Sequence, residues 1–431
     1  MRTGRPPGLW RHRDFLLLWS GQSVSELGSA VTLLAVPLVA VVVLHASTFA
    51  VGLLSAAETA PFLIIALPAG LVVDRLAKRR LMLGCDLARM VVIGSVPVTA
   101  AAGVLTLGQL YAVALLAGIL TVLFDVAYQS YLPVLIRADQ LPDGNGKLAV
   151  TQSIAQVAGP GAGGGLFGLL RAGALTADAA SYAVSAASLL LIRTPEPRPA
   201  APEAGTARPK LRTEIFAGLS FVLRHPVLRK VSACTATANL FSSITFTLVI
   251  LFLVRVLHVP AASTGLLIAA GSLGGVLAGV ASGWLARWIG SARIIWVSML
   301  GFGAPGLLMP LAEPGWRLSF FAVGMAAFSF SGVLYNIAQV SFRQAICPPG
   351  LLGRMNAAVR WIVWGTLPLG GLAGGALGTA IGIRPTMWIG VAGAWAAGLW
   401  VLFSPLRGMR DIPAVIDAGP QPEPADSTME A

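Results

Sequence analysis

The sequence predicts an all-α polytopic membrane protein, with twelve transmembrane helices in two pseudo-symmetric six-helix bundles. Three observations carry that expectation. Of 431 residues, 56% are hydrophobic and only 11% charged, against about 25% charged in an ordinary soluble domain. The apolar residues gather into long runs separated by short charged turns. Two stretches of the first half recur in the second at nearly constant offset.

The runs come first. A spanning helix needs about 20 mostly apolar residues, because lipid offers the backbone no hydrogen-bond partners. Twelve runs meet that need, with cores at 15–43, 49–73, 81–103, 109–131, 148–170, 174–192, 231–254, 264–286, 294–311, 319–341, 356–382 and 386–404. The first follows the basic "MRTGRPPGLWRHRD" and is too long, without a small-residue cleavage site, for a cleavable leader.

Charge placement sets orientation. With the N-terminus in the cytoplasm, 25 of the 30 lysines and arginines fall on the cytoplasmic side, the pattern that fixes topology in membranes. Both termini are expected there. The net charge of +12 is spread along one membrane face, so no nucleic-acid partner is expected.

The longest polar interruption, "RTPEPRPAAPEAGTARPKLR" (193–212), reads as a flexible linker. The following "TEIFAGLSFVLRHPVLRK" reads as an amphipathic surface helix ended or kinked at Pro226. The expected organisation is a first bundle over 1–192 and a linker with its amphipathic helix over 193–230. A second bundle covers 231–407, and a disordered cytoplasmic tail 408–431.

The halves are related. "NGKLAVTQSIAQVAGPGAGG" from Asn145 aligns with "NAAVRWIVWGTLPLGGLAGG" from Asn356, so Gly159 meets Gly370 and the pair Gly163–Gly164 meets Gly374–Gly375. "GLVVDRLAKRRLM" from Gly70 resembles "GWLARWIGSARII" from Gly283. Internal duplication of six-span halves, with binding near the midplane between them, is an architecture of secondary transporters.

Twelve spans and the loop "GLVVDRLAKRR", with Gly70, Asp74, Arg75 and Arg79, resemble the major facilitator superfamily and its signature between the second and third helices. Ala77 stands where that family usually has glycine. "GPGAGG" (Gly159, Pro160, Gly163, Gly164) is similar to the glycine–proline motif of its exporters. Finer likenesses, "LWSGQSVSELGSAV", "FDVAYQSYLPVLIRADQLPDGNG" and "DAASYAVSAASLLL", point to the branch of enterobactin exporters and macrolide or multidrug efflux pumps. The resemblance implies export of amphiphilic small molecules by proton antiport, functioning as a monomer in the cell membrane without a cofactor. An uncoupled facilitator or importer of the same fold, or a lipid flippase, shares these features.

Within the superfamily the aspartate matching Asp74 meets the start of the eleventh helix and stabilises the state closed to the cytoplasm. Here Arg343, Arg354 and Arg360 flank that start, and a carboxylate gains from both the helix dipole and the bases. In the second copy Arg287 takes the place of Asp74, and Asp139 and Asp143 precede the fifth helix. A charge-swapped pair of latches is the expectation; Asp86 and Arg89, three apart on the third span, read as a structural ion pair near its cytoplasmic end, with a tie to the Asp74 latch as the alternative.

Acids inside spans are costly and point to function. Glu26 and Glu58 fall near the midplane, each on the order of 15 Å deep at 1.5 Å per residue. They are the candidate proton carriers, or attract a cationic group. Gln22, Gln129, Asn239, Asn336 and Gln339 could hydrogen-bond a substrate, and Trp361, Trp364, Phe328 and Phe330 could line an aromatic chamber. Asp125 and Asp178 read as packing positions. No metal site or enzyme is expected: His12, His45, His225 and His258 are scattered, the three cysteines lack ligand spacing, and no phosphate-binding loop for ATP occurs.

Overall fold

The chain forms helices nearly throughout, as a backbone in lipid must. The structure is a computed structural model describing residues 9–65, 69, 73, 76–196, 220, 222–347 and 352–411. In chain order the helices are α1 (Arg13–Leu38), α2 (Thr48–Ile64), α3 (Lys78–Ala101), α4 (Leu107–Leu135), α5 (Leu141–Leu170) and α6 (Leu175–Leu191). The second half holds α7 (Pro226–Leu251), α8 (Ala261–Ile289), α9 (Arg293–Val297), α10 (Leu318–Ile346), α11 (Leu352–Ala380) and α12 (Ile383–Ala396). Among the described residues nine segments are long and apolar enough to cross a membrane, with α5 and α6 joined as the one stretch Leu141–Leu191. The expected span 49–73 is described as a helix only to Ile64, and most of the linker and the tail lie outside the described residues.

Helix starts follow local chemistry. Ser47 Oγ accepts from Ala50 N and Thr106 Oγ1 from Gln109 N, satisfying first-turn donors. Two boundaries differ from the sequence reading. The helical residues 222–224 stop at His225, ahead of Pro226 as expected, but Pro226 also opens α7, before the expected 231, where a missing N–H costs nothing. His225 Nδ1 caps it, accepting from Val227 N and Leu228 N at 3.3 Å; burial pushes that imidazole below its ordinary range, which keeps Nδ1 an acceptor. The fifth helix starts at Leu141 rather than 148, because Pro142 and Asp143 in its first turn favour helix over loop.

Asp14, at the start of α1, accepts from Arg193 N (3.1 Å), Thr194 N (2.7 Å) and Thr194 Oγ1 (2.6 Å) just past α6. Glu196 accepts from Lys78 N (2.6 Å) and Arg79 N (3.2 Å), a tertiary cap for α3 where Ala77 supplies none. Arg79 donates in turn to the carbonyls of Leu189 and Leu190 at the end of α6. The ends of α1, α3 and α6 therefore share one face, called the terminal face here.

Packing partners form two sets. α1 packs on α5 and α6, and α3 on α4 and α6; α7 packs on α11 and α12, and α8 on α10. Two seams join the sets, α2 with α11 and α5 with α8. Both are glycine contacts. A Cβ on Gly164 would lie 2.8 Å from Gly265 Cα, and one on Gly52 2.6 Å from Gly375 Cα. The remaining motif glycines brace within a set, Gly159 against Ala30 and Gly163 against Val31 of α1, just as Gly370 and Gly374 press on Leu240 and Ile244 of α7. Only glycine permits backbones this close.

The same offset governs local irregularities. α1 ends in a π turn over Val39–Val43 and α7 in one over Phe252–Val256. His45 and His258 then adopt φ of 50° and 55°. Each of these features recurs 213 residues on.

Candidate functional site

The seams close only one end of the gap between the sets. The glycine contacts and a hydrogen bond from Arg255 Nη2 to the Ala46 carbonyl lie toward the face opposite the chain ends. Toward the terminal face a cavity of about 470 Å³ opens against the second set.

Its wall is built at helical spacing. Asn336, Gln339 and Arg343 stand at i, i+3 and i+7 on one face of α10, beside Asn239 of α7 and Arg360 and Trp364 of α11. Gln339 Nε2 donates to Asn336 Oδ1 at 3.3 Å and Asn239 Nδ2 to the Val363 carbonyl at 3.2 Å. Gln339 Oε1 and Arg343 Nε are buried without a hydrogen-bond partner. The cavity thus collects Asn239, Asn336 and Gln339, three of the five expected amides. Trp364 and Phe328 line it with Trp395, whereas Trp361 is exposed and Phe330 packs edge-on against Phe302 at 5.2 Å. The sequence reading assigns Arg343 and Arg360 to the cytoplasmic rim; the structure places both in the wall. Their spacing from Asn336 and Trp364 on two helix faces is the signal that could have found them.

The first set faces this wall with acids. Gln22 Nε2 donates to Glu26 Oε1 at 2.9 Å, one turn apart on α1. Asp125 of α4 lies within electrostatic reach of Glu26 and, across the gap, of Arg360. The position expected to serve packing thus has charged groups of both sets near it. Gln129, one turn on, is exposed. Glu58 sits one turn from Ser55, whose hydroxyl accepts from Thr247 Oγ1 at 3.1 Å across the seam, and one turn from Phe62, whose ring meets Trp364 at 4.8 Å. That spacing puts Glu58 on the seam face of α2.

Asp86 and Arg89 form a different feature. Arg89 Nη2 bonds Asp86 Oδ1 at 2.5 Å, and the guanidinium lies 4.4 Å from both the Phe124 and Tyr182 rings. Tyr182 OH is 2.9 Å from Ser29 Oγ, and Asp178 beside them is fully buried. The pair ties α3 to α4 and α6 inside the first set.

Of the latch residues, Gly70, Asp74 and Arg75 lie outside the described residues. Asp139 is ion-paired with Arg137 and Asp143 with Lys147, while Arg287 is exposed with no ion pair to a described residue. The expected pairing of Arg287 with those acids is absent from this arrangement, because the acids are held within their own segment. Among the described residues no three histidine, cysteine, aspartate or glutamate side chains could hold a metal ion.

A family described as transmembrane secretion effector matches residues 7–427. The enterobactin exporter EntS of Salmonella choleraesuis (strain SC-B67) is 28% identical over 226 residues, 48% of this chain and 49% of that protein; the EntS of Salmonella typhi matches equally. The chain therefore aligns with about half the length of these curated relatives. Among solved structures, the nucleoside transporter NupG superposes with a TM-score of 0.70 at 12% identity, over 90% of this chain and 98% of that one. A bacterial homologue of the iron transporter ferroportin gives 0.68 in its inward-facing state at 17% identity, over 90% and 98% of the chains. These likenesses show the fold.

Proposed function

Because the chain belongs to the transmembrane secretion effector family of the major facilitator superfamily, a family of membrane transporters, we propose that it exports amphiphilic small molecules by proton antiport. Twelve spans in two six-helix bundles, 1–192 and 231–407, would rock about the two glycine seams in the plasma membrane, with both termini cytoplasmic and one monomer sufficient.

One observation supports this reading above the rest: a cavity walled by polar and aromatic side chains of the second set, with Asp125 of the first set within electrostatic reach of Arg360 in that wall. Glu26 stands thirteen residues into α1, roughly 20 Å along its axis. Ionisable groups at such depth mark the proton relays of pumps and transporters. Glu26, Asp125 and Glu58 are the proposed proton carriers. The exporter relative EntS supports the outward direction.

In proteoliposomes with an imposed pH gradient, substrate efflux should accelerate when the gradient opposes it. Glu26→Gln and Asp125→Asn should remove that acceleration while leaving downhill movement within about threefold. Gradient-independent transport by the unaltered protein would mean an uncoupled facilitator or importer, and movement of labelled lipid a flippase.

The latches belong to the same proposal. When the terminal face closes, Asp74 would meet the bases around the start of α11, and Arg287 would draw Asp139 and Asp143 from their local partners. Asp74→Asn should lower transport severalfold and raise the population open at the terminal face, read by spin-label distances across it. Unchanged transport and unchanged distances would end the latch idea.

A further inference from the structure

The second set carries almost no negative charge. Between Pro226 and Asp411 only Glu313 and Asp411 are acidic. Glu313 is paired with Arg317 at the start of α10, and Asp411 bonds Ser291 at the far edge of the terminal face. Neither lines the cavity, yet Arg343 and Arg360 do. Neither guanidinium is ion-paired to a described residue, and Arg343 Nε is buried without a partner. Asp125 of the first set lies within electrostatic reach of Arg360.

A guanidinium withdrawn from water and left unneutralised is costly, and that describes Arg343, whose Nε is buried without a partner; Arg360 of the same wall is exposed. Arg360 extends over the Trp364 ring at 5.6 Å, and that ring is itself held edge-on by Phe62. Trp395 is fixed by donating Nε1 to the Leu300 carbonyl at 2.9 Å. The wall therefore presents rigid aromatic faces beside two planar cationic forks, the geometry that takes an oxyanion bidentately and a flat apolar body alongside it. Gln339 Oε1, buried and unpartnered, offers an acceptor to a neighbouring polar group.

We propose that this cavity selects aromatic amphiphiles bearing an anionic group, with the anion seated on Arg343 and Arg360 and the ring system against Trp364 and Phe328. This replaces the attraction of a cationic group expected from Glu26 and Glu58. It rests on the cavity being the transport site.

The test uses the full chain in nanodiscs of neutral lipid and three probes of equal size: 1-pyrenebutyrate, its methyl ester and a trimethylammonium analogue. The acid should bind about tenfold or more tighter than the ester or the cation. In Arg343→Gln/Arg360→Gln the acid should fall to the affinity of the ester, while the ester binds as before, which also shows that the variant is folded. Equal or tighter binding of the cation, a tenfold preference surviving in the double variant, or no saturable binding of the acid would overturn the proposal. Preference for the acid without gradient-driven export would instead refute the antiport reading and leave the chemistry of the wall standing.

Discussion

Gly265→Val should abolish most transport, lowering it by about tenfold or more, and should hold the protein open at the face opposite its termini. A Cβ at Gly265 would stand 2.3 Å from the Pro160 carbonyl oxygen and 2.8 Å from Gly164 Cα. Both obstacles are backbone, so the helices themselves must separate. Helices packed on glycine sit near the short end of the 8–10 Å range of axis separations, and branched side chains push them toward the long end. Spin labels flanking the α5–α8 seam at that face should therefore move about 2 Å apart or more. Gly52→Val should do the same at the other seam, where Gly375 Cα is the obstacle. Unaltered distances together with normal transport in both variants would mean that neither seam closes during the cycle.

Arg89→Gln should destabilise the fold more than any other single substitution outside the seams, by about 3–5 kcal/mol, the range for breaking a buried ion pair. The loss has a definite source. Asp86 is fully buried and its Oδ2 already lacks a partner, so removing Arg89 strands a carboxylate inside the first set. The space between the Phe124 and Tyr182 rings also loses its filling cation. Denaturant unfolding in mixed micelles should show a lower midpoint for Arg89→Gln and substantial recovery in Asp86→Asn/Arg89→Gln. A single variant as stable as the parent would return the pair to the latch role, the alternative that the sequence leaves open for it.

Much of this architecture can be read from residues in order. Apolar runs, positive bias and the repeated glycine stretch depend on composition and spacing along one chain, and those survive without coordinates. The motif glycines are legible as close-approach sites for the same reason. What each glycine meets is not, because Gly164 and Gly159, five residues apart, face different helices. Arg343 and Arg360 are hidden by the very rule that works elsewhere: a base near a helix end satisfies the topology bias whether it faces water, lipid or a cavity. Trp361 and Trp364 look alike in sequence, and only the direction of α11 puts one outside and the other in the wall. The latch residues are hard for another reason. Their expected partners lie on distant segments, whereas Asp139 and Asp143 take local bases in this structure.

The matched π turns carry a history. Their shared register, with a left-handed histidine after each, argues that the irregularity was already present in an ancestral unit before it was copied. Such an ancestor would have met a second copy of itself across the glycines, and both rims would have been identical. They no longer are: Arg255 reaches over to the Ala46 carbonyl, while Val42, its counterpart 213 residues earlier, has nothing to offer in return. A one-sided clasp of this kind becomes available to selection only after fusion has made the two partners distinguishable.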